Sequence, residues 1–231
     1  MQAIIGRKIG MSQMFGDRGK VIPVTLVEAG PCVVTQLRDA AKDGYTAVQL
    51  GFGEAKKLNK PGTGHLKASK AKSSVLREFR WPEQPDGLKV GDTLDVSQFE
   101  AGQQVKVTAI SKGKGFAGTV KRHNFNTGPK THGSDDYRTP GSIGSMYPQK
   151  VMKGKKMAGR MGHDRVTIKN VKIADVQPEK NLLALTGAVP GANRSIVIIK
   201  GMNATLSNTQ EPVHQEAVEA VAATPESQGE K

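Results

Sequence analysis

The stretch from Ser111 to His163, SKGKGFAGTVKRHNFNTGPKTHGSDDYRTPGSIGSMYPQKVMKGKKMAGRMGH, limits what this chain can fold into more than any other. It carries eleven cations, Lys112, Lys114, Lys121, Arg122, Lys130, Arg138, Lys150, Lys153, Lys155, Lys156 and Arg160, against two acids, Asp135 and Asp136. The balance is +9, in a chain whose total is +13. Ten of the 27 glycines lie here, and no run of four apolar residues does. Such a segment buries too little apolar surface to offset the entropy of ordering it. Its order must come from a partner that brings negative charge and a surface to lie on, and structured RNA brings both.

The rest of the composition narrows the partner further. A sequence pI near 9.8 and a mean hydropathy of −0.44 point to a polyanion, either nucleic acid or an anionic membrane face. The membrane fails on pattern, because no run approaches the roughly 18 to 20 apolar residues of a spanning helix and the basic stretch has no amphipathic stripe. One cysteine, Cys32, rules out an intrachain disulfide and a cysteine-built zinc site and suits a reducing compartment. The first residues, MQAIIGRKIGM, lack the apolar core of a signal peptide and the Arg/Ser-rich lead of a transit peptide, so the chain is expected to remain in the cytoplasm.

Along the chain, β-branched segments recur with turn chemistry between them. Ala3–Ile9 and Met11–Phe15 read as a strand entering a tight bend at Gly10, followed by a GDRG turn over Gly16–Gly19. Lys20–Glu28, Pro31–Arg38 and Tyr45–Phe52 then suggest an antiparallel meander or small barrel, with Pro23 fitting an edge or bulge. From Gly53 to about Asp92 the pattern breaks into an inserted lobe, with a short helix expected near Ala68–Ser74. Lys56, Lys57, Lys60, Lys67, Lys70 and Lys72 make that lobe a second basic patch, readable as an RNA contact or as plain lysine-rich surface. Strands resume at Leu94–Val96 and at Val105–Ser111, where Val105, Val107 and Ala109 alternate with Lys106 and Thr108. They return after the basic stretch at Arg165–Val176, Asn181–Thr186 and Ser195–Lys200. No strong helical period separates these strands, so the expected fold is mainly β, a barrel of six or more strands with two insertions. The division is a body over 1–52, 93–110 and 165–201, a basic lobe over 53–92, an irregular finger over 111–164 and an acidic tail over 202–231. The tail is expected to be disordered apart from a weak helix over Val213–Ala223.

Gly113, Gly115 and Gly118 spell G-x-G-x-x-G after a strand, with Asp135 where a dinucleotide fold would place its ribose-binding acid. That enzyme reading requires a second apolar strand before the acid, and NFNTGPKTHGS at 124–134 contains none. The three glycines read better as places where backbone comes close to phosphates, which Lys112, Lys114, Lys121 and Arg122 contact. Gly141 and Gly144, in PGSIGS, suit a strand threading a narrow passage, and that motif lacks the glycine spacing of a nucleophile elbow around Ser142 or Ser145. His123, His132 and His163 match no zinc spacing, so stacking on a base or touching a phosphate is the expected role. Phe116, Phe125, Tyr137 and Tyr147 fit base stacking and local packing equally well. Neither cofactor nor metal is expected.

Several of these motifs together resemble a known family. IGRKIGM near the start, IPVT at Ile22–Thr25, SKGKGFAGTVKRHNF at Ser111–Phe125, THG at Thr131–Gly133, PGSIG at Pro140–Gly144, KGKKMAGRMG at Lys153–Gly162 and NLLALTGAVPGANRS are similar to the bacterial form of large-subunit ribosomal protein three. The similarity runs in order from Met1 to about Gly201. It implies a six-stranded translation-factor-type β-barrel, a small inserted lobe, and a finger running through 23S rRNA toward the peptidyl-transferase region. It further implies binding near the three-prime end of that rRNA, a part in nucleating subunit assembly, and ribosomal proteins fourteen and nineteen as neighbours. A homo-oligomer is not expected.

With Arg7 and Lys8 of the first motif, the RNA-binding set becomes Arg7, Lys8, Lys112, Lys114, Phe116, Lys121, Arg122, His123, Lys130, His132, Arg138, Lys150, Lys153, Lys155, Lys156 and Arg160. Gly113, Gly115, Gly118, Gly141 and Gly144 give backbone approach. Many bacterial relatives carry a methylatable glutamine just after PGSIG. Here Ser145, Met146 and Tyr147 follow in a segment about one residue shorter, and the resemblance does not place that modification on this chain. The competing readings are an enzyme binding an anionic cofactor at Gly113–Gly118 and a free RNA chaperone or translation regulator.

Overall fold

In-and-out alternation of side chains builds the body of the molecule. In β7 (Gln104–Ile110) Val105, Val107 and Ala109 face inward, and in β12 (Ile196–Gly201) Val197, Ile199 and Gly201 do the same. The two strands pair antiparallel with Ile199 opposite Val107, so the inward rows stack side by side. Four more strands complete the ring: β1 (Ala3–Phe15), β2 (Val21–Ala29), β10 (Arg165–Gln177) and β11 (Leu182–Thr186). The computed structural model, which describes residues 2–16, 19–81 and 87–202, closes them into a barrel in the order β1-β12-β7-β10-β11-β2. Ile4, Val27, Leu183, Leu185, Val197 and Ile199 are fully withdrawn from solvent inside it, while Ile5, opposite Ile198, is buried on the outer face beside Cys32. Each contributes about 1.5–3 kcal/mol relative to leaving it exposed. The expected barrel is therefore present.

The meander expected after β2 is not. β3 (Cys32–Arg38) and β4 (Ala47–Glu54) leave the barrel and pair with β5 (Ser73–Arg80) and β6 (Thr93–Leu94), in a separate sheet of order β5-β4-β3-β6. Both edges of β2 are occupied, by β1 and by β11, so no further strand can add there. Gly30, at φ +78°, turns the chain out, its N–H donating to the Ile5 carbonyl at 3.1 Å. Residues 32–52, read as barrel, thus belong with the inserted strands. This sheet is not a separate body, because Cys32, Val34, Val48, Leu50, Phe52 and Phe79 join the barrel residues in one apolar cluster.

Three local readings change as well. The bend at Gly10 is a bulge between Lys8 and Gly10 inside one continuous thirteen-residue strand. Pro23 lies opposite Gln13, just past the last β2–β11 pair at Val24–Thr186, so it needs no partner for its missing N–H on that side. The helix expected near Ala68–Ser74 sits earlier, as α2 (Lys60–Leu66), because Asn59 Oδ1 caps it by accepting from the Gly62 N–H at 2.9 Å and Pro61 fits its first turn. A single turn, α1 (Ala40–Asp43), joins β3 to β4 and is fixed by an Arg38–Asp43 ion pair at 2.6 Å. Asp17 and Arg18 of the expected GDRG turn, and the tail from residue 203 with its expected helix, lie outside the described residues. Among the described residues no helix is long and apolar enough to cross a membrane.

Candidate nucleic-acid interface

The basic finger grows out of two neighbouring barrel strands. β7 and β10 pair from Lys172–Gln104 up to Arg165–Ile110, and the ladder continues past the barrel rim. The Ser111 N–H donates to the Asp164 carbonyl at 2.9 Å, Lys114 N–H to the Met161 carbonyl at 2.9 Å, and Met161 N–H to the Gly115 carbonyl at 2.9 Å. Two short strands, β8 (Phe116–Ala117) and β9 (Gly159–Arg160), extend the ribbon. Gly162, at φ +72°, makes this root possible, since a Cβ there would run into the Lys112 carbonyl.

Above the ribbon stands α3 (Thr119–His123), opened by Gly118 and closed by Asn124 in the left-handed conformation. Arg122 Nη1 donates to the Met157 carbonyl at 2.8 Å, and His123 Nε2 lies 3.1 Å from the same oxygen. These two residues of the RNA-binding set also tie the outgoing limb to the returning one. Residues 124–158 contain no helix or strand and hold shape through scattered local bonds such as Gly128 N–H to the Tyr137 carbonyl at 2.9 Å. No second strand follows Gly118 before Asp135, so the dinucleotide reading has no sheet to stand on.

The charge is left uncompensated. All eleven finger cations are exposed, and among the described residues none forms an ion pair, both ion pairs found there being made by Arg38. Ala117 and Thr119 alone are buried among the described residues of the finger. Gly118 and Gly144 have open space where a Cβ would lie, so the protein's own packing does not demand glycine at either position. His132 and Arg138 are exposed, as are Gly113, Gly115 and Gly141. His123, His132 and His163 do not converge, and among the described residues no group of three His, Cys, Asp or Glu side chains could hold a metal ion.

The four aromatics divide. Phe125 is half-buried with its ring 6.2 Å from that of His123, and Tyr137 is half-buried under Lys130 Nζ at 5.3 Å. Phe116 and Tyr147 are instead 81% and 83% exposed, which leaves their faces open for stacking. Met146 and Met152, not picked out from the sequence, stand equally free at 88% and 72%. At the start of the chain Arg7 is exposed, whereas Lys8 is buried. Lys8 Nζ donates to the Val189 carbonyl at 2.6 Å and to that of Gly191 at 3.4 Å, and burial, then Lys112, pulls its pKa below the usual lysine value. In the second sheet's insert, Lys56, Lys60, Lys67, Lys70 and Lys72 rim a groove of about 660 Å³ floored by Leu58 and Leu66.

Known proteins carry the same arrangement in sequence. The protein of Carboxydothermus hydrogenoformans named "Large ribosomal subunit protein uL3" is 51% identical over 202 residues, 86% of this chain and 96% of that one. The chain belongs to the uL3 family. The family profile described as "Ribosomal protein L3" matches residues 88–182, which take in β7, the whole finger and β10. Proteins of the same name from Heliobacterium modesticaldum and Bacillus cytotoxicus are each 50% identical, over 86% and 87% of this chain and 96% of theirs. The resemblance read from the motifs is thus met across the barrel, the second sheet and the finger together.

Proposed function

We propose that this chain, a large-subunit ribosomal protein by family, acts as a structural constituent that grips rRNA directly through its finger. The observation that carries the reading is the finger itself: eleven exposed cations without an ion pair among the described residues, on a limb with almost no buried side chains, rooted in a closed barrel. Eleven like charges held in the open attract a polyanion, which binds them with release of its counterions. Within this proposal the RNA is 23S rRNA near its three-prime end, the fingertip runs toward the peptidyl-transferase region, and binding helps nucleate the subunit beside ribosomal proteins fourteen and nineteen. The chain's role is binding and not catalysis.

The test is the salt dependence of affinity for a 23S rRNA transcript. If about six of the finger's cations reach phosphates, log affinity against log salt has a slope of roughly −4 to −5, from about −0.7 to −0.9 per neutralised phosphate. A slope near zero overturns the proposal. Co-sedimentation with large subunits after a high-salt wash separates a resident component from a chaperone or regulator, which would be washed off.

A further inference from the structure

The finger is not the sole concentration of unpaired positive charge. Between β5 of the second sheet and the β12-β7-β10 face of the barrel lies a cleft of about 800 Å³. Arg77 and Arg80 line it from one side, and Lys106, Arg165 and Lys200 from the other. Its one carboxylate, Glu78, already accepts from the Tyr45 hydroxyl at 3.0 Å and from Gln49 Nε2 at 3.2 Å. None of the five cations forms an ion pair with a carboxylate among the described residues.

The barrel wall of this cleft works against itself. Lys106 and Lys200 stand directly opposite each other in the β7–β12 register, a like-charge pairing that weakens a sheet. Lys200 is held in place, its Nζ donating to the Arg80 carbonyl at 3.0 Å and lying 3.6 Å from the centroid of the Trp81 ring. Burial, and then Lys106, lowers its pKa. An anion seated between the walls turns that repulsion into attraction. A single phosphate would leave most of the five cations uncompensated, whereas a strand of repeating phosphates meets them in series. Arg165 and Ile110, which line the cleft, are the last barrel residues before the finger's Ser111–Asp164 root, so the cleft adjoins the finger and one polyanion can reach both.

We infer that the cleft between β5 and the β12-β7-β10 face binds the phosphate backbone of RNA, as a second contact continuous with the finger root. The inference rests on the chain being an rRNA binder and adds a site the finger reading does not contain.

The experiment uses the full chain and a 23S rRNA transcript. Arg77→Gln/Lys106→Gln/Arg165→Gln is compared with Lys42→Gln/Lys89→Gln/Lys180→Gln, a control of equal charge away from the cleft. The cleft variant should lessen the log–log salt slope by about 2 to 3, at roughly 0.7 to 0.9 per lost phosphate contact, and the control should change it little. Lysine acetylation read by mass spectrometry gives the second measure. RNA should protect Lys106 but not Lys42 or Lys180. Lys153, Lys155 and Lys156 in the same spectra report on the finger, so failure of the finger reading and failure of this one are told apart. Equal slopes for the two variants, or no protection of Lys106 by RNA, overturns the inference. So does Lys106 becoming more reactive on deletion of residues 203–231 while RNA leaves it unprotected, since the acidic tail is then the occupant.

Discussion

Two buried side chains, Lys8 in the barrel and Cys32 where the second sheet packs on it, show how single residues hold the site's platform. Lys8 Nζ donates to the Val189 and Gly191 carbonyls, pinning the β11–β12 loop beneath the finger root. Lys8→Met keeps the stem's bulk but orphans both acceptors, which should cost about 1–3 kcal/mol. Urea unfolding should show that loss while the rRNA salt slope stays as in the wild type. A smaller slope would mean that Lys8 reaches phosphate after all. Cys32 offers a test by pH. Burial pushes its thiol up to about 12, from an ordinary value near 9.0, against a smaller lowering from its hydrogen bond with the Ile5 backbone. The folded state keeps the proton that the unfolded chain releases, so this stabilisation is whole below pH 9 and is lost as pH rises toward 12. Stability of the wild type relative to Cys32→Ala should fall by about 1.4 kcal/mol per pH unit in that window. A flat difference would show that the thiol is not desolvated. Neither role was legible in the sequence: a lysine in IGRKIGM looks like its neighbour Arg7, and only the register of β1, with Arg7 opposite Glu28 and Lys8 opposite Val27, shows which of the two the alternation sends inward.

Among the elements, the finger behaves as an appendage and the barrel as a closed unit. Because the ribbon up to β8 and β9 is tied by backbone bonds, and Arg122 and His123 bind Met157, the finger divides into a built root and an irregular outer part. Replacing residues 126–156 with a short Gly/Ser linker should therefore leave the barrel's unfolding midpoint almost unchanged, since loop closure depends only weakly on length. The same variant should fail to stay with large subunits through a salt wash. In hydrogen exchange, Val105–Ala109 and Arg165–Ile173 should remain protected while the outer finger exchanges fast. Core-like protection of residues 126–156 in the free protein would contradict this. The strands and the finger were readable in advance because period-two alternation and concentrated charge are local signals. Which sheet β3 and β4 join was not, because it depends on β11, far later in the chain at Leu182–Thr186, occupying the free edge of β2. The α2 helix was misplaced for the opposite reason, a local cap at Asn59 hidden among lysines and glycines.

For the molecule as a whole, charge is distributed unevenly enough to test by truncation. Residues 203–231 hold five glutamates and one lysine, a balance of −4 against the +13 of the chain. Their deletion should leave rRNA affinity equal or somewhat higher and the barrel melt unchanged. A drop in affinity or in soluble yield would give the tail a role that its charge does not suggest. The cleft between the sheets escaped the sequence reading because its cations come from β5, β7, β10 and β12, and no stretch of chain contains two of its three barrel cations together. The way the finger is mounted has a mechanical consequence. Its two limbs leave from adjacent antiparallel strands whose hydrogen bonds lie across the direction of pull, in a ring with no loose edge. Tension along the finger therefore loads the rungs between β7 and its neighbour β12, and between β10 and β11, side by side in shear instead of peeling them one after another. As a seedling comes out of soft ground with its root whole, a finger drawn off its RNA should slip free before the barrel that holds it gives way.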